Sequence, residues 1–279
     1  MVKVRLGQVD YLNCLPIYYP IETDRVPIKA TLVKGVPTRL NRLFFAGELD
    51  ITPVSSIEYA RYPGNCLILP DMSISSDGRV GSISLFSRVP VAELDGKKVC
   101  LPDTSATSVA LLKVLFQHYY QIEVAFETTP DDLDLMMSKA DAGLLIGDKA
   151  LAANYQVKAT GRPLFVTDLG MVWKDFTGTP MVFALWVIRR EFAEEHPRET
   201  EEIAHAFLQA KKIGNSKLET LIDVAHRKNR LPREVLEDYF ALIKHDFDER
   251  YRRGLLSFYD YAYKTGLIEE RMQLDVWGE

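Results

Sequence analysis

Three turns rich in hydroxyl and amide side chains contain the residues best suited to bind a ligand. They cover residues 11–14, 53–56 and 103–108, and each follows an apolar run. The second and third turns lead directly into helix-like sequence. A helix start offers free backbone N–H groups and the positive end of the helix dipole, both of which favour an anion. The pattern predicts a cleft with polar, uncharged walls for a small molecule that carries two negative groups.

Each of these side chains also has an ordinary structural role open to it. Asn13 follows the first apolar run, where a turn asparagine can bond its own backbone. Ser55 and Ser56 precede a helix and can serve as N-caps, a role that is compatible with ligand binding. The run 103–108 holds more small and polar residues than one cap requires, and it is the stronger signal. Its candidate ligand contacts are Thr104, Ser105, Ala106, Thr107 and Ser108.

Two further segments, residues 82–84 and residues 147–148, also contain candidate site residues. Ser82 and Ser84 share one face of a predicted strand, where they either contact a ligand or lie on a half-exposed sheet face. Asp148 follows Gly147 at the end of the apolar run 144–146. Its position favours a helix N-cap over a catalytic base.

Composition and missing motifs exclude several classes of protein. The chain of 279 residues has a net charge of −5, so it lacks the basic field that nucleic acid or anionic lipid requires. It contains no nucleotide-binding glycine motif, hydrolase motif or zinc motif. The five histidines lack metal-ligand spacing and are interpreted as surface or capping residues. The three scattered cysteines fit a reducing compartment. We expect a cytoplasmic protein with no metal and no membrane-crossing or export segment.

Strand-like and helix-like segments must position these residues, and they alternate through most of the chain. Predicted strands cover residues 2–9, 28–34, 49–53, 66–70, 81–88, 98–101, 123–127, 142–146 and 181–188. Predicted helices cover residues 37–46, 57–62, 106–119, 133–139 and 148–154, and residues 191–266 are helical throughout. This alternation favours parallel sheets with helices on their faces.

The absence of a single linker indicates two lobes joined by two crossovers. The strands at 81–88 and 181–188 are the candidate crossovers. We predict a discontinuous first lobe of residues 1–88 plus 181–279, which includes the C-terminal helices, and an inserted second lobe of residues 89–180. Ligands of open parallel sheets bind beyond the carboxyl ends of the strands, at helix starts. The polar turns of both lobes should therefore face one cleft between the lobes.

Several segments together resemble one enzyme family. They are Asp10-Tyr11-Leu12-Asn13-Cys14-Leu15-Pro16, Gly35-Val36-Pro37 with Leu40-Asn41, Gly47-Glu48-Leu49-Asp50, Pro53-Val54-Ser55-Ser56-Ile57-Glu58-Tyr59-Ala60, Thr104-Ser105-Ala106-Thr107-Ser108, Ile146-Gly147-Asp148, and Thr177-Gly178 before Pro180. In this order and at this spacing they resemble the chorismate dehydratase family, which opens the futalosine route to menaquinone. The helical tail carries little of the family signature.

The resemblance implies both a fold and a reaction. The fold is α/β, a two-lobe type II periplasmic-binding-protein-like fold with parallel-rich mixed sheets and a helical C-terminal segment. The reaction is the conversion of chorismate to 3-[(1-carboxyvinyl)oxy]benzoate by a hydro-lyase without a cofactor, as a monomer or homodimer. A related dihydroxynaphthoate synthase shares the fold but typically begins with a Ser-Pro-Cys-Pro-Asn-Asp type segment, unlike this chain. That synthase and a non-catalytic small-carboxylate binding protein are the alternatives.

For this reaction we expect Asn13 and Ser82 to be the catalytic residues. Asn13 would polarise the leaving hydroxyl or hold the enolpyruvyl group, and Ser82 would assist. The helix start 104–108 would bind one carboxylate and the start at 55–56 the other. The remaining predicted substrate contacts are Ser84, Gly147 and Asp148. The proton acceptor is either Asp148 or the enolpyruvyl carboxylate of the substrate itself, and we favour the substrate.

Overall fold

The computed structural model describes residues 3–279, which form ten β-strands and twelve α-helices. Val2, included in the first predicted strand, lies outside the described residues. The strands are β1 (Val4–Val9), β2 (Ala30–Gly35), β3 (Ile51–Ser55), β4 (Cys66–Ser76), β5 (Ile83–Ser87), β6 (Lys98–Pro102), β7 (Ala125–Thr129), β8 (Ala142–Ile146), β9 (Phe165–Asp168) and β10 (Met181–Arg189). The helices are α1 (Leu15–Glu22), α2 (Pro37–Phe45), α3 (Ser56–Arg61), α4 (Ala106–Leu115), α5 (Leu133–Lys139), α6 (Gly147–Thr160), α7 (Leu169–Thr177), α8 (Arg190–Glu195), α9 (Pro197–Asn215), α10 (Leu218–Asn229), α11 (Arg233–Leu242) and α12 (Glu249–Lys264).

The first sheet has five strands in the order β2-β1-β3-β10-β4. β1 pairs in parallel with β2 and with β3, which is the arrangement that the strand–helix alternation predicts. β10 runs antiparallel to both of its neighbours, β3 and β4. The sheet is therefore mixed, with two parallel and two antiparallel pairings. A 3-10 turn, Leu12–Cys14, follows the carboxyl end of β1 and leads into α1.

The second sheet repeats this plan with the order β7-β6-β8-β5-β9. β6 pairs in parallel with β7 and β8, while β5 runs antiparallel to β8 and β9. All five residues of β8 are buried, because helices cover both faces of the sheet. The strand β5 was predicted to close the first lobe, but its pairing places it in the second sheet. The chain thus crosses between the sheets before residue 83, and the exact lobe boundaries stay a prediction.

The helical C-terminal segment packs mainly against the first sheet. α9 contacts α1 and β4, and α12 contacts β10. The contact between α9 and α1 is so close that a Cβ at Gly214 would lie 1.7 Å from the carbonyl oxygen of Pro16. The helices α9 and α10 therefore hold α1, and with it the preceding turn, in place. Within residues 3–279, no helix combines the length and apolar character needed to span a bilayer.

Three elements were not predicted: α1, α7 and β9. α1 has Pro16 in its first turn and Pro20 in its interior, and prolines disfavour a helix prediction. β9 is an edge strand of four residues whose Phe165 is exposed, so it lacks a continuous apolar run. All of the predicted strands and helices are present: α5 and β8 have the predicted ends, the ends of the others are shifted, and the stretch predicted as helical throughout is divided into α8 to α12.

Candidate active site

A cleft between the two sheets collects polar residues from both of them. It encloses about 610 Å³ of space free of protein atoms, part of it open to solvent. The polar lining comprises Tyr11, Asn13, Ser55, Ser82, Ser105, Thr107, Ser108 and Gly147. The apolar lining includes Ile74, Val80, Ile83, Ile146, Phe183 and Ile243. All three predicted polar turns contribute residues to this one cleft.

Asn13 lies on the 3-10 turn Leu12–Cys14 and is anchored through its backbone. Its carbonyl oxygen accepts a hydrogen bond from Nε2 of His245 at 2.7 Å. Its side-chain Oδ1 is buried and has no hydrogen-bond partner among residues 3–279. An unsatisfied buried polar atom costs on the order of 1–3 kcal/mol. An atom of this kind in a cleft is well suited to bind a ligand that supplies the missing donor.

His245 lies in a place that its sequence context does not predict. It is 5% exposed, so the expectation of a surface or capping role is wrong for this histidine. Burial lowers the pKa of His245 to about 4; the bond to the Asn13 carbonyl opposes this effect and the Lys211 ammonium adds to it. The imidazole is therefore neutral near pH 7, and since a carbonyl can only accept, Nε2 carries the hydrogen. No local pattern pairs the two residues, because they are 232 positions apart.

Ser55 is held in the cleft by Asn41, a buried residue of α2. Asn41 Nδ2 donates to Ser55 Oγ at 3.2 Å, and the Ser55 N–H donates to Asn41 Oδ1 at 3.4 Å. Ser55 is the N-cap residue of α3, but its hydroxyl makes no capping bond. Because the Asn41 amide donates to the hydroxyl oxygen, the hydroxyl hydrogen of Ser55 is free to bond a ligand.

Ser56 does not line the cleft. It is fully buried, and its hydroxyl donates to the carbonyl of Val182 at 2.8 Å. The N–H of Ile57 donates to Thr107 Oγ1 at 3.2 Å, so protein groups already occupy N–H groups of this helix start. α3 is also only six residues long. A role for Ser56 as a substrate contact stays a prediction, and the structure gives its hydroxyl another partner.

The start of α4 is the better candidate for an anion. Ser105 is the N-cap residue, and its Oγ accepts the N–H of Ser108 at 3.3 Å. Ser105, Thr107 and Ser108 line the cleft, whereas Thr104 and Ala106 are not among its lining residues. Thr104 instead donates its hydroxyl to Asp131 at 2.8 Å. The remaining N–H groups of the first turn and the helix dipole favour an anion at this end of the cleft.

Ser82 and Ser84 differ in placement although the same strand pattern predicted both. Ser82 lines the cleft, and its carbonyl accepts the N–H of Gly147 at 2.7 Å. Ser84 is fully buried in the second sheet, where it pairs with Leu145 and Asp168. Its Oγ has no hydrogen-bond partner in the described part of the chain. Of the two serines, Ser82 lines the cleft. Contact between Ser84 and a substrate stays a prediction.

The first turn of α6 connects the two lobes at one edge of the cleft. Gly147 lines the cleft with φ of +60°, and a Cβ there would lie 3.1 Å from the Tyr11 ring. Asp148 is not a lining residue, and its carboxylate accepts hydrogen bonds from Leu12 N–H at 3.0 Å and from Asn229 Nδ2 at 2.9 Å. The N-cap of α6 is Ile146, so the prediction that Asp148 caps this helix is wrong. Its side chain instead reaches the first lobe.

The cleft lining carries no formal charge. Within residues 3–279, its side chains include no carboxylate, imidazole, thiol, ammonium or guanidinium group. Burial raises the pKa of Tyr11 to about 12, with the charges of Asp131 and Asp148 contributing, so its hydroxyl stays protonated near pH 7. The same residues contain no cluster of His, Cys, Asp or Glu that could hold a metal ion. An anion in this cleft would be bound by hydroxyl, amide and backbone donors.

Two α/β lobes around one neutral cleft define a fold of the type II periplasmic-binding-protein kind. A solved structure of this kind is the periplasmic aliphatic sulphonate binding protein SsuA from Escherichia coli. It matches with a TM-score of 0.68 at 15% sequence identity, over 99% of this chain and 92% of that chain. At this identity the likeness concerns the fold alone, and it confirms the two-lobe α/β class predicted from the sequence.

Sequence relatives narrow the class to one family. Residues 4–264 match a family model described as menaquinone biosynthesis. A chorismate dehydratase from Thermus thermophilus is 31% identical over 264 residues, which cover 91% of this chain and 93% of the relative. The chain therefore belongs to the menaquinone-biosynthesis family. A 1,4-dihydroxy-6-naphtoate synthase from the same organism is 27% identical over 205 residues, 72% of each chain. The resemblance inferred from the motifs is confirmed, and the match extends into the C-terminal helices.

Proposed function

We propose that this protein is a chorismate dehydratase, a hydro-lyase that converts chorismate to 3-[(1-carboxyvinyl)oxy]benzoate. The observation that carries the proposal is the neutral cleft lined by Asn13, Ser82 and the start of α4, in a chain 31% identical to a chorismate dehydratase. We place the reaction in the cytoplasm, in the futalosine route to menaquinone, with chorismate as the small-molecule partner. The reaction itself requires no cofactor.

The reaction requires no covalent bond between the protein and the substrate. The C–H bond at the ring carbon that bears the ether oxygen breaks, and so does the C–O bond of the neighbouring ring hydroxyl. A ring double bond forms between these carbons, one water leaves, and the ring becomes aromatic. Aromatisation supplies the driving force, so the protein must orient the substrate, exclude water and manage one proton.

Two parts of the cleft suit the two substrate carboxylates. The start of α4, with Ser105, Thr107 and Ser108, would bind one of them. The free hydroxyl hydrogen of Ser55 would bond the other, with its oxygen held by Asn41. Each charge-assisted hydrogen bond contributes on the order of 1.5–3 kcal/mol. A neutral analogue of chorismate should therefore bind far more weakly.

Asn13 and Ser82 are proposed as the groups that contact the reacting part of the substrate. The amide of Asn13, whose Oδ1 has no partner among residues 3–279, would polarise the leaving hydroxyl or hold the enolpyruvyl group, and Ser82 would assist it. The enolpyruvyl carboxylate of the substrate is the favoured proton acceptor. This choice is supported by the neutral lining of the cleft and by the two N–H donors that already occupy the Asp148 carboxylate.

The deciding experiment mixes the purified protein with chorismate, without added metal or nucleotide, and follows the products by chromatography with mass detection. Formation of an aromatic enolpyruvyl ether by loss of one water would establish the reaction. Unchanged chorismate that raises the melting temperature would instead indicate a binding protein, since a ligand of the folded state stabilises it. If chorismate is not converted and does not stabilise the protein, the ligand is a different small carboxylate, and the substrate of the naphthoate synthase relatives is then a candidate.

A further inference from the structure

The turn that carries Asn13 is held from two sides by side chains far away in the sequence. On one side, Nε2 of His245 donates to the carbonyl of Asn13 at 2.7 Å. On the other side, the N–H of Leu12 donates to Oδ1 of Asp148 at 3.0 Å. His245 belongs to the C-terminal segment that packs on the first sheet, whereas Asp148 is the second residue of α6 in the second lobe. The bond to Asp148 therefore joins the two lobes at one edge of the cleft.

The second carboxylate oxygen of Asp148 also accepts a hydrogen bond from outside the second lobe. Oδ2 accepts a hydrogen bond from Nδ2 of Asn229 at 2.9 Å. Asn229 is the last residue of α10, a helix that contacts α1 just beyond the Asn13 turn. One carboxylate thus connects three segments: the start of α6, the Leu12–Cys14 turn and the end of α10. We call this set of contacts, Asp148 with Leu12 N–H and Asn229, the cross-lobe clasp.

Two other roles for Asp148 do not fit this geometry. A general base must lie within hydrogen-bond reach of the proton that it removes. Asp148 is not a lining residue of the cleft, and each of its oxygens already accepts an N–H bond. An N-cap role is also absent, because the α6 N-cap is Ile146 and makes no side-chain capping bond. The partners of the Asp148 carboxylate are instead the Leu12–Cys14 turn of the first lobe and the C-terminal end of α10.

We propose that Asp148 is a positioning residue, which orients the amide of Asn13 for reaction through the cross-lobe clasp. The clasp requires the two lobes to be in contact, so the orientation of the Asn13 turn depends on how the lobes pack together. A displacement of about 1 Å at a reacting group can reduce turnover roughly 10²-fold. This inference rests on the proposed function, in which Asn13 contacts chorismate.

The test compares Asp148→Ala and Asp148→Asn with the wild-type protein. In Asp148→Asn, the new amide oxygen can still accept the Leu12 N–H, and Asn229 can turn its own amide to present oxygen to the new NH₂ group. Asp10→Asn is the matched control, because it removes a nearby carboxylate that pairs with Lys228 rather than with the turn. We would measure kcat, the Kd for chorismate, the melting temperature and amide hydrogen exchange at Leu12.

Positioning predicts a defined pattern across these variants. Asp148→Ala should lose about tenfold or more in kcat with a Kd within about threefold of wild type, since remote geometry affects the reacting group more than binding. Asp148→Asn should keep kcat within about fivefold of wild type and an unchanged pH profile. Asp10→Asn should behave as wild type. An Asp148→Asn variant as inactive as Asp148→Ala, with substrate still bound, would overturn the proposal in favour of a general base.

Hydrogen exchange tests the clasp independently of any turnover. The Leu12 N–H should exchange at least about tenfold faster in Asp148→Ala than in wild type and stay protected in Asp148→Asn. Unchanged protection in Asp148→Ala would overturn the clasp. If wild type and Asp10→Asn both fail to convert chorismate, the proposed function fails, and this exchange measurement still decides whether Asp148 holds the turn.

Discussion

Asn13 shows how a single residue can be poor for stability and well placed for function. Its amide oxygen is buried without a partner among residues 3–279, while its backbone is fixed by His245. The folded protein therefore bears the cost of an unsatisfied polar atom that a bound substrate would relieve. Such sites commonly trade stability for activity. The trade can be measured, because another asparagine of the chain has the same defect outside the cleft.

Replacing Asn13 with Ala should separate activity from stability. We expect kcat to fall by roughly 10²-fold or more, since a group aimed at developing charge is lost. The melting temperature should stay level or rise, because the unsatisfied Oδ1 is removed. Asn154→Ala is the matched control, since Oδ1 of Asn154 is also buried without a partner in the described part of the chain but lies outside the cleft lining. Full activity of Asn13→Ala would contradict the assigned role.

His245 should make the stability of the protein depend on pH in the acidic range. Its pKa is about 4 in the folded state, against an ordinary value of about 6.5. Between these values the unfolded chain binds more protons, so the free energy of unfolding falls as pH falls from about 6.5 towards 4. The loss between about pH 7.5 and 5 should be on the order of 2 kcal/mol.

Denaturant unfolding at several pH values checks this expectation. His245→Gln keeps an N–H donor for the Asn13 carbonyl but cannot titrate, so its stability should depend less on pH than that of wild type. The charged groups near the imidazole are Lys211, Lys244 and Asp246, and they are unchanged in this variant. An equal slope in both proteins would show that other groups cause the acid sensitivity.

Helix starts are the elements that build the cleft, and the structure distinguishes between them. α4 presents three lining residues at its start, whereas N–H groups at the start of α3 are taken by Asn41 and Thr107. The start of α6 has a different role: Gly147 lines the cleft, and Asp148 accepts a hydrogen bond from the other lobe. Gly147 permits this because it adopts a positive φ and lets the Tyr11 ring approach the backbone.

Gly147→Ala should reduce both stability and the affinity for chorismate, and the other end of the same helix offers the control. Gly161, at the C-terminus of α6, also has a positive φ, but a Cβ there would meet nothing within 4 Å. Both alanine variants should lose about 1–2 kcal/mol of stability from the left-handed conformation. Gly147→Ala should in addition bind chorismate about tenfold more weakly, because its methyl group presses on Tyr11. Equal affinities in the two variants would contradict this account.

The whole molecule combines a net charge of −5 with a cleft that has no formal charge. A dianionic substrate in this cleft would therefore be bound by dipoles and hydrogen bonds, in a protein whose overall field would repel it weakly. Short-range donors of this kind are little affected by salt, whereas long-range repulsion is screened. The ionic-strength dependence of binding follows from this arrangement.

Binding of chorismate should be nearly independent of ionic strength. Between about 50 mM and 500 mM salt, we expect the Kd to change by less than about threefold. Isothermal titration in potassium glutamate and in potassium chloride would check this and separate screening from competition by chloride. A loss of affinity of about tenfold or more in both salts would mean that a cationic side chain contributes to the site.

The local sequence pattern sufficed for most of the strands and helices, the two-lobe class, the polar turns and the family. These features depend on periodicity, helix-start chemistry and short motifs, all of which are properties of neighbouring residues. The same pattern could not reveal α1, whose prolines disfavour a helix, or distinguish Ser82 from Ser84 within one strand. It placed β5 in the first lobe, because a strand pattern does not say which sheet the strand joins.

Tertiary packing alone decided which candidates meet. His245 reaches Asn13 across 232 positions, and Asp148 reaches Leu12 across 136. Neither contact has a local signal, because each depends on how the lobes and the C-terminal helices pack together. Packing also buries His245, which lowers its pKa. It directs the Asp148 side chain to the Leu12–Cys14 turn of the other lobe, where a helix cap was expected. Residue types along the chain supplied the donors of the site, and long-range packing set their directions.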